Sequence, residues 1–102
     1  MTDNASMSEL HVTDHAELRV RKRMGIPRRA VERQAAAALE KGATHGQFTG
    51  KFRRYLDGVF LSERSANNMR VHGGVLYIFR DQTLITCWAL PAEFRNIKPR
   101  RQ

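Results

Sequence analysis

A chain of 102 residues with 18 Lys and Arg against 10 Asp and Glu carries a formal net charge of +8, which suits one domain with a modest core and points to an anionic partner. Arginine greatly outnumbers lysine, and its planar fork favours bidentate contact with phosphate, although a basic surface also serves solubility. The single cysteine, Cys87, excludes an internal disulfide or a cysteine metal site and fits a reducing cytoplasm, while no apolar run approaches the ~18 residues of a membrane span and the polar, acidic N-terminus is unlike a secretory signal.

Residues 1–12 are polar with little hydrophobic pattern and read as a flexible N-terminal tail. A helix is predicted from Thr13 or Asp14. Asp14 followed by Glu17 resembles a capping box, and both acids suit a helix N-terminus. Ala16, Val20 and Met24 line one face, Leu18 widens it, and Gly25 supplies a left-handed stop. Pro27 suits the first turn of a second helix over residues 28–41, ending at Gly42. Its expected buried stripe is Ala30, Val31, Gln34, Ala35, Ala38 and Leu39. From Arg19 to Arg33 there are seven basic residues (Arg19, Arg21, Lys22, Arg23, Arg28, Arg29, Arg33) and one acid, the densest cationic stretch of the chain.

Residues 43–50 read as a loop. Residues 51–56 (KFRRYL) and 59–64 (VFLSER) are predicted strands joined by an Asp57-Gly58 hairpin turn. Residues 69–72 form a further short strand, and Gly73-Gly74 turn it into the most β-rich stretch, VLYIFRDQTLITCWAL at 75–90. Its two arms flank Asp81-Gln82 as a hairpin, with Val75, Tyr77 and Phe79 on one face and Leu76 and Ile78 on the other. In the second arm Leu84, Thr86, Trp88 and Leu90 alternate with Thr83, Ile85, Cys87 and Ala89. Neither arm alternates cleanly between apolar and polar, as expected of central strands with a helix layer on one face and a partly exposed opposite face. Residues 92–102 are predicted to be a flexible basic tail. The expected fold is α+β: two N-terminal helices on a four- to five-stranded antiparallel sheet, with residues 13–91 as the single domain.

His11 and His15 are four apart, but no third ligand accompanies them, so neither metal nor cofactor is expected. No glycine-rich phosphate loop and no activated nucleophile is visible. Acid–base chemistry on a phosphodiester remains. Metal-free RNA cleavage needs one group to deprotonate the ribose 2′-OH, another to protonate the leaving oxygen, and cations to hold the phosphorane. His15, His72, Arg54, Arg70 and Thr86 are the catalytic candidates. Arg19, Arg21, Lys22, Arg23, Arg28, Arg29, Arg53 and Tyr55 are the nucleic-acid-binding candidates. Each has a plainer reading: His15 as a helix-start residue, His72 as a turn residue, Thr86 as a β-former, and Arg53 and Arg54 as strand neighbours facing opposite ways.

HAELRVRKRMGI, a second helix ending in EKG, then RRY and a hairpin ending TLITCWALP together resemble small microbial toxin-like domains of the barnase, EndoU, colicin and RelE-like ribonuclease fold. The resemblance spans residues 13–91. It implies helices before a four-stranded antiparallel sheet and metal-independent cleavage of RNA. The site it implies comprises His15 and Arg19 on the first helix, Arg54 on the first strand, Arg70 before the hairpin, and Thr86 on the last strand. Trp88 departs from the smaller or tyrosine side chain usual at that place. The functions to weigh are a toxin-like or phage-encoded endoribonuclease with RNA or ribosome, and an antitoxin, as partners; a non-catalytic basic module for RNA, DNA or ribosome; and a phage-type inhibitor gripping an acidic host protein.

Overall fold

A computed structural model of the chain describes residues 10–100. Five strands, β1 (His11–Val12), β2 (Ala43–Thr44), β3 (Asn68–His72), β4 (Val75–Arg80) and β5 (Thr83–Ala89), and three helices, α1 (Asp14–Met24), α2 (Arg28–Lys41) and α3 (Gly50–Ser62), account for the described residues, with short 3-10 turns at His45–Gln47 and Ala92–Phe94. The sheet order is β1-β5-β4-β3-β2. The hairpin at 75–90 is therefore its middle, as its β-branched and aromatic content predicts.

The ends of α1 follow from their sequence. Thr13 is the N-cap, its hydroxyl accepting the Ala16 N–H at 3.0 Å, and Gly25 closes the helix at φ 68°. The Asp14–Glu17 capping box does not form, because Thr13 takes the cap and Glu17 turns inward to become a buried residue. Leu18 does not widen the buried face; it is 41 % exposed. On α2, Val31, Ala35 and Ala38 are buried, but Gln34 faces solvent. Alanine is the small residue that lets this helix lie close against α1 and the sheet.

Three expectations are corrected. Residues 51–62 are not a hairpin but lie in α3. Phe52, Tyr55, Leu56 and Val59 recur at spacings of three and four, and that stripe packs on the sheet while Asp57 and Gly58 sit mid-helix. The sheet is mixed rather than antiparallel, because β1 pairs parallel with β5 through His11–Thr83 and Val12–Leu84. Its residues 11–12 belong to the stretch read as a flexible tail; residues 1–9 of that stretch lie outside the described residues. Lastly, the second face of the sheet is covered, not partly exposed.

Those two faces hold two cores. Tyr77 and Phe79 pack with Val20, Val31, Ala35, Ala38 and Leu84 under α1 and α2. Leu76 and Ile78 pack with Phe48, Phe52, Leu56, Leu90 and Phe94 under α3. The result is a three-layer arrangement with β4 sealed on both sides, which explains its near-continuous apolar sequence. In β5 the alternation slips: Ile78 faces Thr86 but Phe79 faces Leu84, so Ile85 is the extra residue of a bulge. Leu84 and Cys87 consequently share one core, against the alternation expected from sequence. Within the segment expected to be a flexible basic tail, the 3-10 turn buries Phe94, stacked 4.9 Å from Phe52. The Arg100 amide then donates to the Gln47 carbonyl at 2.7 Å.

Candidate nucleic-acid interface

At ~100° per residue, His15, Arg19, Lys22 and Arg23 of α1 fall within about 100° of one another on its surface. The buried face, Ala16 and Val20, turns toward β5. His15, Lys22 and Arg23 are exposed and Arg19 is half-buried. Among the described residues neither Arg19 nor Lys22 forms an ion pair. Other arginines of the same stretch are partly neutralised. Arg21 lies 3.4 Å from Glu17, and Arg28 contacts both Asp14 at 3.0 Å and Glu32 at 3.3 Å. These two acids raise the Arg28 pKa, hydrogen bonding to Asp14 being the largest cause. Arg29 and Arg33 on α2 flank Glu32 in a groove with Leu10 and Val12.

The C-terminal end of this stripe is fixed in place. Beyond Leu84 the outer edge of β5 has no paired strand among the described residues. Arg23 reaches it, donating from Nη1 to the Thr86 hydroxyl at 3.1 Å. Its guanidinium carbon lies 5.4 Å from the centroid of the Trp88 ring. The Trp88 Nε1–H in turn donates to the Tyr55 hydroxyl at 3.1 Å, which ties the arrangement to α3. Thr86 itself is fully buried, so it acts on the surface through Arg23. A guanidinium held by one of its five N–H donors and by a ring face keeps the others available in a fixed plane. Those free donors are what a planar or tetrahedral anion can engage.

Other candidates lie elsewhere. Arg54 is exposed on α3, on the opposite side of the sheet from α1 and not on a strand. Arg70 on β3 donates to the Leu39 carbonyl at 2.6 Å and to Asn68 at 3.0 Å, closing the end of α2 onto the sheet. His72 lines a separate groove with Lys41 and Arg95. Thus α1 and β5 gather Arg19, Lys22, Arg23, Thr86 and, through Trp88, Tyr55, with His15 two turns along the same helix. Arg54, Arg70 and His72 are not part of that group.

One cluster escaped the sequence reading because Asp57-Gly58 carries so strong a turn signal. Asp57 accepts from Arg53 Nε at 3.0 Å and pairs with His45 Nε2 at 2.7 Å, and Arg53 also reaches the Phe48 carbonyl at 3.4 Å. Hydrogen bonding from Arg53, then from His45, holds the Asp57 carboxyl below its ordinary value. Its contribution to stability is therefore present above the ordinary carboxylate range and lost as pH falls through the lowered value. The i to i+4 spacing of Arg53 and Asp57 was the available signal. Arg53 is occupied in this brace between α3 and the His45 turn. Among the described residues no cluster of three His, Cys, Asp or Glu could hold a metal ion. Also among them, no helix is long and apolar enough to cross a membrane. Comparisons with protein-family models, curated proteins and solved structures found no match for this chain.

Proposed function

We propose that this chain binds the phosphate backbone of RNA along the outward face of α1, at its seam with β5. The observation that carries the reading is Arg23, held by Thr86 and Trp88 on the helix face that also presents His15, Arg19 and Lys22. The net charge of +8 supports long-range attraction to a polyanion. The choice of RNA over DNA rests on the resemblance to the ribonuclease fold described above. Neutralising Arg19, Lys22 and Arg23 to Gln should lower affinity for single-stranded RNA at least tenfold. It should also make the salt dependence shallower by about 2, at ~0.7 per phosphate contact for single strands. Filter binding over a salt series reads both. Unchanged affinity in the triple variant would remove α1 as the interface.

A second reading, metal-independent endoribonuclease, is favoured by His15 standing two turns from Arg23 on the same helix face. An imidazole there would carry the proton to or from a ribose or leaving oxygen while Arg19 and Arg23 hold the phosphate. Incubating labelled RNA in chelator with wild type and His15→Ala separates the two. Cleavage by wild type alone supports catalysis through His15, whereas binding without cleavage leaves the RNA-binding module. Retention of a protein partner after nuclease treatment, without RNA affinity, would instead indicate an inhibitor of an acidic protein.

A further inference from the structure

Three of the grooves lined by the described residues differ in the kind of charge they carry. One sets Arg29 and Arg33 beside Glu32. Another sets Arg70 beside Glu40 and Asp81. The third, of about 560 Å³, is lined by Lys41, His72 and Arg95 with no carboxylate among its lining residues. These three come from different elements: Lys41 ends α2, His72 ends β3, and Arg95 follows the C-terminal 3-10 turn. The groove also has apolar lining from Phe48, Val71 and Ile97 and the amide of Asn96. Cations and apolar side chains lining one groove suit a ligand with a charged end and a flat, weakly polar body.

The walls are built rather than incidental. Arg95 is oriented by donating from Nε to the Leu90 carbonyl at 2.7 Å, which uses one of its five N–H donors. The Leu90 amide donates to the Gly74 carbonyl at 2.9 Å, so turn, strand end and Arg95 are tied together. Gly73 and Gly74 have φ of 59° and 75°, the conformation a two-residue hairpin turn requires. A Cβ on Gly74 would lie 3.8 Å from the Arg95 side chain, an ordinary contact, so it is the backbone angle alone that calls for glycine there. The far wall is held by the pairing of Gln47 with the Arg100 backbone.

We propose that this groove is a phosphate-binding site for a nucleotide, with Lys41, His72 and Arg95 around the phosphate and the base over Val71 and Ile97. The nucleotide is either free or one unit of an RNA strand. The site does not depend on the α1 face, since its cations belong to different elements and β3 is separated from β5 by β4.

The test titrates the ¹⁵N-labelled full chain with adenosine 5′-monophosphate, inorganic phosphate and adenosine, following amide shifts. Saturable shifts at His72, Gly73, Gly74 and Asn96 are expected with the nucleotide, with a Kd on the order of 1 mM. Phosphate should bind there more weakly and adenosine more weakly still. His72→Gln and Lys41→Gln, which change side chains that make no hydrogen bond among the described residues, should each weaken binding at least threefold. The Arg19, Lys22 and Arg23 triple variant should keep the nucleotide site intact even where it loses RNA. If RNA competes with the nucleotide for the groove in that variant, the ligand is a unit of RNA; if not, it is a free nucleotide. No saturable shift at these residues up to about 10 mM, or equal affinity in the His72→Gln and Lys41→Gln variants, would overturn the site. Equal binding of adenosine would remove the phosphate from it.

Discussion

The side chain that most shapes the surface is Arg23, and its two restraints are separable. Thr86→Val keeps the shape of the strand residue and removes the acceptor for Arg23 Nη1. The loss of one hydrogen bond should cost about 1 kcal/mol of stability, and RNA affinity should fall by less than in Arg23→Gln, because Trp88 still supports the guanidinium. A urea melt paired with filter binding checks this. An affinity as low as that of Arg23→Gln would mean that Thr86 alone positions the guanidinium.

Two facing residues of the core set an alkaline limit. Burial pushes Tyr77 up to about 12 and Cys87 up to about 11, and the two are paired across β4 and β5. Their raised values mean that the unfolded chain loses these protons first. The stability they protect is complete below about pH 9 and declines as pH rises to 12, by on the order of 2 kcal/mol for each group. Tyr77→Phe removes one of these ionisations, so its urea midpoint should fall less than that of wild type between pH 9 and 12. Parallel loss in both proteins would show that Tyr77 gives up its proton as readily in the folded protein as in the unfolded chain.

At the scale of elements, the decisive question is whether residues 50–62 are a helix. Gly58 lies in α3 with open space where a Cβ would be and without a positive φ. Gly58→Ala should therefore stabilise the protein by about 0.5–1 kcal/mol, whereas at an Asp-Gly hairpin turn the same change would destabilise it. Thermal denaturation decides. The outcome bears on what the sequence could tell. Both N-terminal helices and the central hairpin were readable because caps, periodicity and β-branched content agree there. In α3 they conflict: the stripe of Phe52, Leu56 and Val59 competes with Asp57-Gly58, and the contacts available on the second face of the sheet decide in favour of the helix. The two-residue β1 and the bulge at Ile85 leave no local pattern at all, since each exists only as a pairing with a distant strand. Arg23, Thr86 and Tyr55 could be named from sequence one at a time. Their meeting around Trp88 depends on α3 and on that bulge, and so does the separation of Arg54 from α1.

At the scale of the whole molecule, the chain carries eight uncompensated positive charges over only 102 residues. Two electrostatic effects oppose each other there. Exposed pairs such as Lys51–Glu93 stabilise the fold, and salt weakens them. Mutual repulsion among the remaining cations destabilises it, and salt relieves that too. Surface pairs contribute about 0–1 kcal/mol each and often nothing measurable, while the charge imbalance is large for a chain of this length. Repulsion should therefore dominate, and the urea midpoint should rise between low and physiological ionic strength, the same interval over which the proposed RNA binding should weaken. The triple variant of Arg19, Lys22 and Arg23 removes three of those charges, so its midpoint should rise less with salt. A midpoint that falls on adding salt would place the ion pairs above the repulsion, and would make the cationic face of α1 part of the stabilising network rather than a surface kept charged for a partner.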